Sequence, residues 1–163
     1  MWQRFCLVLA LLFLLLGSAH ATELTGQVLW VYDGDTLMIE NIGKVRLLGI
    51  DTPEYKASTR DRFYTEKLHI EAKALRKISR QAKNYNIRNI KGTRVRLEFD
   101  KIQEDKYDRL LAYVYLPNGD MLNLALLENG LATVFRRYDF KYKKDFLKAE
   151  KKAQKKGLGL WEK

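Results

Sequence analysis

Three acidic side chains in the first third of the chain, Asp35, Asp51 and Glu54, have the types and spacing to share one site. Asp35 directly follows the turn sequence Asp33-Gly34, while Asp51 and Glu54 bracket Thr52-Pro53. Two carboxylates brought side by side repel unless a proton or a cation lies between them. Oxygen ligands on loops favour Ca2+ or Mg2+ over zinc or copper, and a site with two sure carboxylates is weak, filled out by a carbonyl and waters, and suited to millimolar calcium outside cells. Arg46 stands mid-strand between Val45 and Leu47, where a cation needs an anionic partner, and a phosphate would serve because a guanidinium binds it in bidentate fashion. Arg109, in Asp105-Lys-Tyr-Asp-Arg109, offers a second guanidinium, and Tyr107 beside it can stack on a base or a sugar. From these residues alone the plain structural readings stay open. Asp33-Gly34-Asp35 is also good turn chemistry, Asp51 suits an Asx-turn before Pro53, and either arginine fits a solvent-facing surface or a structural ion pair.

These side chains need strands to hold them. Leu24 to Tyr32 is apolar and partly β-branched, Asp33-Gly34-Asp35 breaks it in the manner of a hairpin, and Thr36 to Glu40 follows. Asn41-Ile-Gly43 makes a second turn before a third strand, Lys44 to Ile50. Antiparallel pairing of the second and third strands sets the start of one beside the end of the other, which makes Asp35 and Asp51 neighbours. The period then changes: Leu68, Ala72, Leu75, Ile78 and Ala82 recur at helical spacing, with Thr65 as the expected N-cap or a start nearer Thr59. His69 falls on the exposed face of that helix. Strands resume at Thr93 to Phe99 and Leu110 to Tyr115, closed by Pro117-Asn-Gly-Asp120. A short helix from an Asn123 cap to Asn129 stops at Gly130, and a last one from about Phe140 to Lys156 stops at Gly157. The expectation is an α+β chain, mainly β: one domain, residues 22–163, built as a five-stranded OB-like barrel with three flanking helices.

Composition narrows the chemistry. The chain has 163 residues, one Cys, two His and a net charge of +10, so disulfides within the chain are excluded, as are zinc sites that need a pair of cysteines with a pair of histidines or cysteines alone. Met1 to Arg4 followed by an apolar run from Phe5 to Leu16 and by Ala19-His20-Ala21 reads as an export signal, residues 1–21, cut after Ala21. Its twelve apolar residues rise only about 18 Å as a helix, short of the roughly 30 Å a membrane span needs. An uncleaved anchor is the alternative. Removal takes away Cys6 and leaves 142 residues, a single His and a charge of +9, which excludes Cys-His catalysis. That charge is uneven: residues 22–58 sum to −3, whereas residues 59–91 sum to +7 and residues 140–163 to +6. A basic exterior attracts polyanions, and an acidic cluster within it attracts a small cation.

At this point the residues carry a resemblance. Asp33-Gly-Asp-Thr36, Arg46-Leu-Leu-Gly-Ile-Asp-Thr-Pro-Glu54, Asp105-Lys-Tyr-Asp-Arg-Leu-Leu-Ala-Tyr113, Asn123 with Glu128-Asn-Gly-Leu-Ala132, and Gly159-Leu-Trp161 occur in the order found in the thermonuclease, or staphylococcal nuclease-like, family. The chain resembles that family from about residue 24 to 161, except that residues 55–92 have no distinctive match and are longer than usual. The resemblance implies an OB barrel holding one Ca2+, with Asp35, Asp51 and the backbone carbonyl of Thr52 as ligands and Asp33 as an acid just behind them. It implies Glu54 as the base that activates water, Arg46 and Arg109 as the arginines that stabilise the phosphorus centre and leaving oxygen, and Lys106, Tyr107 and Tyr138 as nucleotide contacts. Where the family has glycines flanking the second arginine this chain has Asp108 and Leu110; Asp tolerates a positive φ, though its charge stands beside Arg109. The expected substrates are single-stranded DNA and RNA, cut at the 5′ P–O bond to leave 3′-phosphate ends. The chain is expected to act outside the cytoplasm, periplasmic or extracellular, as a monomer with no stable protein partner and no membrane contact unless the signal is retained. Two rivals remain: a catalytically inactive OB-like module that binds nucleic acid or another polyanion, and a signal-anchored basic protein on an anionic membrane face.

Overall fold

Alternating inward and outward side chains close five strands on one another. In the computed structural model, which describes residues 24–162, β1 (Leu24–Val31), β2 (Thr36–Ile39), β3 (Gly43–Leu47), β5 (Arg94–Glu104) and β6 (Leu110–Tyr115) form a closed barrel in the order β1-β2-β3-β6-β5. The expected signal, residues 1–21, lies outside the described residues. All neighbours are antiparallel except β3 and β6, which are parallel. A register shift between Val28 and Trp30 bends β1, which pairs with both β2 and β5. Val28, Leu37, Val45, Leu47, Val95, Leu97, Ala112 and Val114 are buried. This is the expected OB-type barrel, and α1 (Ala72–Ile90), α2 (Leu122–Glu128) and α3 (Lys143–Lys156) are the three flanking helices. Among the described residues no helix is long and apolar enough to cross a membrane.

The expected third strand divides. β3 ends at Leu47 because Gly49 takes a φ of +80° and leaves no room for a Cβ, which would come within 2.7 Å of the Phe140 ring. Past that turn the chain leaves the barrel: β4 (Ile50–Asp51) pairs instead with β7 (Thr133–Val134), an additional two-stranded sheet. The buried Glu150 of α3 accepts the Val134 N–H at 2.8 Å and pairs with Arg136, so the strand that supports Asp51 is itself tied to a helix.

Helix starts differ more. α1 begins at Ala72, after a separate π-helical turn at Phe63–Lys67, and His69 between them has a φ of +56°, which ends any helix arriving from upstream. Thr65 is therefore no cap; its Oγ1 donates back to the carbonyls of Asp61 and Arg62. His69 is exposed but sits on no helix, and Ala72 is exposed too, whereas Leu75, Ile78 and Ala82 do face the core. α3 begins at Lys143, and Phe140 packs on Phe146 instead of starting the helix.

Asn123 is not a cap either. It lies one residue inside α2, fully buried, where its Oδ1 accepts the Val114 N–H at 3.0 Å and its Nδ2 donates to the carbonyls of Leu48 and Ala112 at 2.9 and 3.3 Å. It thereby fastens α2 to β6 and to the residue just beyond β3. Asn123→Ala is expected to lower the unfolding free energy by roughly 2–3 kcal/mol, since backbone groups of β6 and of Leu48 lose their partner in a dry environment. Denaturant melts check it: a loss below about 0.5 kcal/mol would mean those groups find other partners.

Candidate active site

The turn between β1 and β2 is built to project a carboxylate. Asp33 Oδ1 accepts the Asp35 N–H at 2.9 Å, and the Tyr32 N–H donates to the Thr36 carbonyl at 3.0 Å. Gly34 leaves no room for a side chain, because a Cβ there would approach Ala82 of α1 and Thr52 within 2.8 Å, and its carbonyl accepts from Asn86 of α1. Turn chemistry and site chemistry thus coexist in the same three residues. Asp35 is buried, and its Oδ2 accepts both the Thr52 N–H at 3.0 Å and the Thr52 hydroxyl at 3.1 Å.

Arg46 does not enter the barrel. Val45 and Leu47 point inward, so Arg46 lies on the outer face, beside its β2 register partner Thr36. From there its guanidinium spans the two carboxylates, Nη1 to Asp35 Oδ1 at 2.6 Å and Nη2 to Asp51 Oδ1 at 3.0 Å. The anionic partner that a mid-strand arginine calls for is a pair of aspartates, and the expected adjacency of Asp35 and Asp51 holds.

Burial pushes the Asp35 carboxyl up to about 7; Arg46 opposes this, and the nearby Asp33 and Asp51 add to it. A bound cation would favour the ionised form of Asp35, which burial disfavours. An oxygen-only donor set of this kind fits a hard divalent cation. Among the described residues no third acidic, His or Cys side chain joins the two in a metal-binding cluster, so further ligands have to come from backbone carbonyls and water.

Glu54 follows Pro53 out of the loop after β4. It is exposed, and among the described residues its carboxylate has no hydrogen-bond or ion-pair partner. Partial desolvation raises its pKa, helped by Asp33 and Asp51 and opposed by Arg46 and Arg109. A free carboxylate with a raised proton affinity beside two arginines has what a general base requires.

Arg109 reaches the same cluster from the start of β6. Its Nη1 lies 3.5 Å from the Thr36 hydroxyl, which itself donates to Asp35 Oδ1 at 3.1 Å. Asp105 holds the rest of the guanidinium, Oδ2 accepting from Nε at 2.9 Å and from Nη2 at 2.7 Å, and the same carboxylate accepts the Tyr107 N–H. Asp108 has a φ of +58°, the conformation that glycine serves elsewhere and that Asp adopts at modest cost. Its carboxylate is exposed and makes no ion pair with Arg109 among the described residues. Tyr107 is 65% exposed, with the Lys106 ammonium 4.9 Å and the Arg109 guanidinium 5.4 Å from its ring centre. Tyr138, 52% exposed, stands after β7 and packs on Phe135.

Asp33, Asp35, Arg46, Asp51, Thr52, Glu54 and Arg109 are thus brought together, with Lys106 and Tyr107 adjoining Arg109. Two residues at the site come from the segment without a distinctive match. Tyr64 is fully buried and donates its hydroxyl to Asp51 Oδ2 at 2.8 Å, and Arg60 donates its Nε to the same oxygen at 2.8 Å. Burial and the Asp51 charge push the Tyr64 hydroxyl well above its ordinary value, so it remains a donor. The sequence carries no local signal for either, because their partner is set by tertiary packing.

Residues 44–163 match the family model described as staphylococcal nuclease homologue. Among similar proteins, the thermonuclease of Staphylococcus hyicus is 35% identical over 150 residues, covering 89% of this chain and 80% of that one. The thermonuclease of Staphylococcus intermedius is 37% identical over 150 residues, 87% of this chain and 80% of its own. Endonuclease YncB of Bacillus subtilis is 34% identical over 137 residues, 80% of this chain and 58% of its own.

Proposed function

The chain belongs to the family of staphylococcal nuclease homologues, and on that premise we propose that it is an exported, Ca2+-dependent phosphodiesterase that cleaves single-stranded DNA and RNA. The observation that carries the reading is the Arg46 bridge between Asp35 and Asp51, with Glu54 and Arg109 beside it. A polyanion-binding module needs surface cations; it has no use for two buried carboxylates held together by an arginine.

Asp35, Asp51 and the Thr52 carbonyl would hold one calcium ion. Such a cation, when bound, supplies positive charge to the phosphate oxygens and acidifies water. The chain's own residues do the rest. Glu54 takes the proton of the attacking water as its oxygen forms a bond to phosphorus. The bond from phosphorus to the 5′-oxygen breaks, that oxygen leaves with the electron pair and takes a proton from water to become the 5′-hydroxyl, and the 3′-phosphate stays with the other fragment. Arg46 and Arg109 stabilise the additional negative charge that phosphorus and the departing oxygen carry in the transition state, a gain larger there than in the ground state. Arg46 spends two of its five N–H donors on the two aspartates, and the other three have no hydrogen-bond partner among the described residues. Lys106, Tyr107 and Tyr138 contact the flanking nucleotides.

The test is cleavage of single-stranded DNA and of RNA by the purified protein in millimolar calcium and in excess chelator. Cleavage to 3′-phosphate ends is expected in calcium, with a loss of about 100-fold or more in chelator, the several kcal/mol that a catalytic metal provides. Binding without cleavage in calcium would favour the inactive module instead. For export, the N-terminal residue of the product recovered outside the cytoplasm is expected to be Thr22; an intact Met1 would point to the signal-anchored form.

A further inference from the structure

Asp51 is held from two sides. Arg46 takes Oδ1, and Oδ2 accepts from Tyr64 at 2.8 Å and from Arg60 at 2.8 Å. Oδ2 takes both donors, but Arg60 meets it through Nε alone, without the two-pronged grip of a structural arginine–carboxylate pair. Four of the five N–H donors of the Arg60 guanidinium have no hydrogen-bond partner among the described residues, and the side chain is 35% exposed. Its plane is nonetheless fixed, lying over the Phe63 ring at 4.5 Å and near the Phe135 ring at 5.5 Å. Phe135 in turn meets the exposed Tyr138 with ring centres 5.6 Å apart. A guanidinium and an aromatic strip thus run on from the carboxylate pair, separated from Arg46 by the width of one carboxylate.

We propose that Arg60 is a substrate-binding residue that holds the phosphate next to the scissile one, with Phe135 and Tyr138 as the stacking surface for its nucleotide. The proposal rests on the phosphodiesterase reading, and it adds a third arginine to the two that the resemblance implies. A polynucleotide brings a phosphate beside the one being cut, and a preorganised guanidinium with free donors binds phosphate and stacks on rings at the same time.

A substrate with one phosphate separates this role from simple support of Asp51. Thymidylyl-(3′→5′)-thymidine has a single phosphodiester and an eight-residue thymidylate has several. For Arg60→Ala, kcat/KM on the octamer is expected to fall about tenfold further than on the dinucleotide, mostly through KM, the scale of one charge-assisted contact. In fluorescence anisotropy with labelled octamer in chelator, the slope of log K against log salt is expected to flatten by about 0.7, the value of one phosphate contact to a single strand. Arg60→Lys should keep that slope while losing part of the affinity, and it carries the test where the alanine variant unfolds. Equal losses on both substrates with an unchanged slope would overturn the proposal and leave Arg60 as a support for Asp51. Should the wild type bind the octamer but cleave neither substrate, the nuclease reading falls, and the slope still decides for or against Arg60.

Discussion

Glu54→Gln is expected to lower kcat/KM on single-stranded DNA by at least about 100-fold, the lower scale of general-base catalysis. The substitution keeps the shape of the side chain and removes its capacity to take a proton. Because Glu54 is exposed and engages no hydrogen-bond or ion-pair partner among the described residues, stability should stay within about 0.5 kcal/mol of the parent. The loss should lie in kcat, and KM should not rise, since the variant presents one negative charge fewer to a polyanion. The pH profile supplies a second reading. Partial desolvation and the charges of Asp33 and Asp51 raise the Glu54 pKa, so the carboxylate form needed for catalysis is lost at a higher pH than for an ordinary glutamate. The acid limb of the wild-type profile should accordingly be displaced upward, and Glu54→Gln should lose that limb. Equal rates for parent and variant would sink the assigned role.

The site was legible in the sequence to the degree that its geometry is local. Asp33, Gly34 and Asp35 build their own turn, and the second and third strands pair through a tight hairpin, so the meeting of Asp35 and Asp51 could be read from spacing, while the partner of Arg46 stayed open. Apolar runs bounded by turn residues placed β1 and β6 within a residue. What failed depended on distant partners. The division of the third strand at Gly49 answers to Phe140, and β4 exists only because β7 lies beside it, more than eighty residues later in the chain. Asn123 has the composition of a cap, but the unpaired groups it serves belong to β6 and Leu48, which no local window contains. Thr65 and His69 sit in a segment whose apolar spacing suits a helix, while the segment is held as a π-helical turn and a positive-φ residue, tied down by Tyr64 on Asp51 and by Arg76 on Asp61. Arg60 belongs to the same case: nothing near it in sequence names Asp51 as its partner.

Arg46→Ala is expected to act on both activity and stability. On activity it removes a guanidinium from the charge that develops at phosphorus, a loss of about 100- to 1,000-fold. On stability it leaves a buried carboxylate without its cation, which costs about 3 kcal/mol or more where a half-pair remains. The two aspartates share that cost unequally. Asp51 keeps Arg60 and Tyr64, whereas Asp35 keeps only neutral donors, the hydroxyls of Thr36 and Thr52 and the Thr52 amide. The penalty consequently has a pH window. With its folded pKa raised by burial to about 7 from an ordinary 3.8, Asp35 keeps its proton in the folded chain while the unfolded chain has lost it. Stability is therefore lost as pH rises between those two values, and is level above them. Removing Arg46 takes away the main opposing influence, so the folded pKa moves further up and the loss continues past pH 7. In chelator, the difference in Tm between parent and Arg46→Ala should be small at pH 4 and widest at pH 8 to 9. Millimolar calcium should narrow it, because a divalent cation would supply the charge that the guanidinium no longer does. A gap independent of pH and of calcium would mean that Arg46 serves as packing, and it would remove the main support for reading the aspartate pair as a cation site.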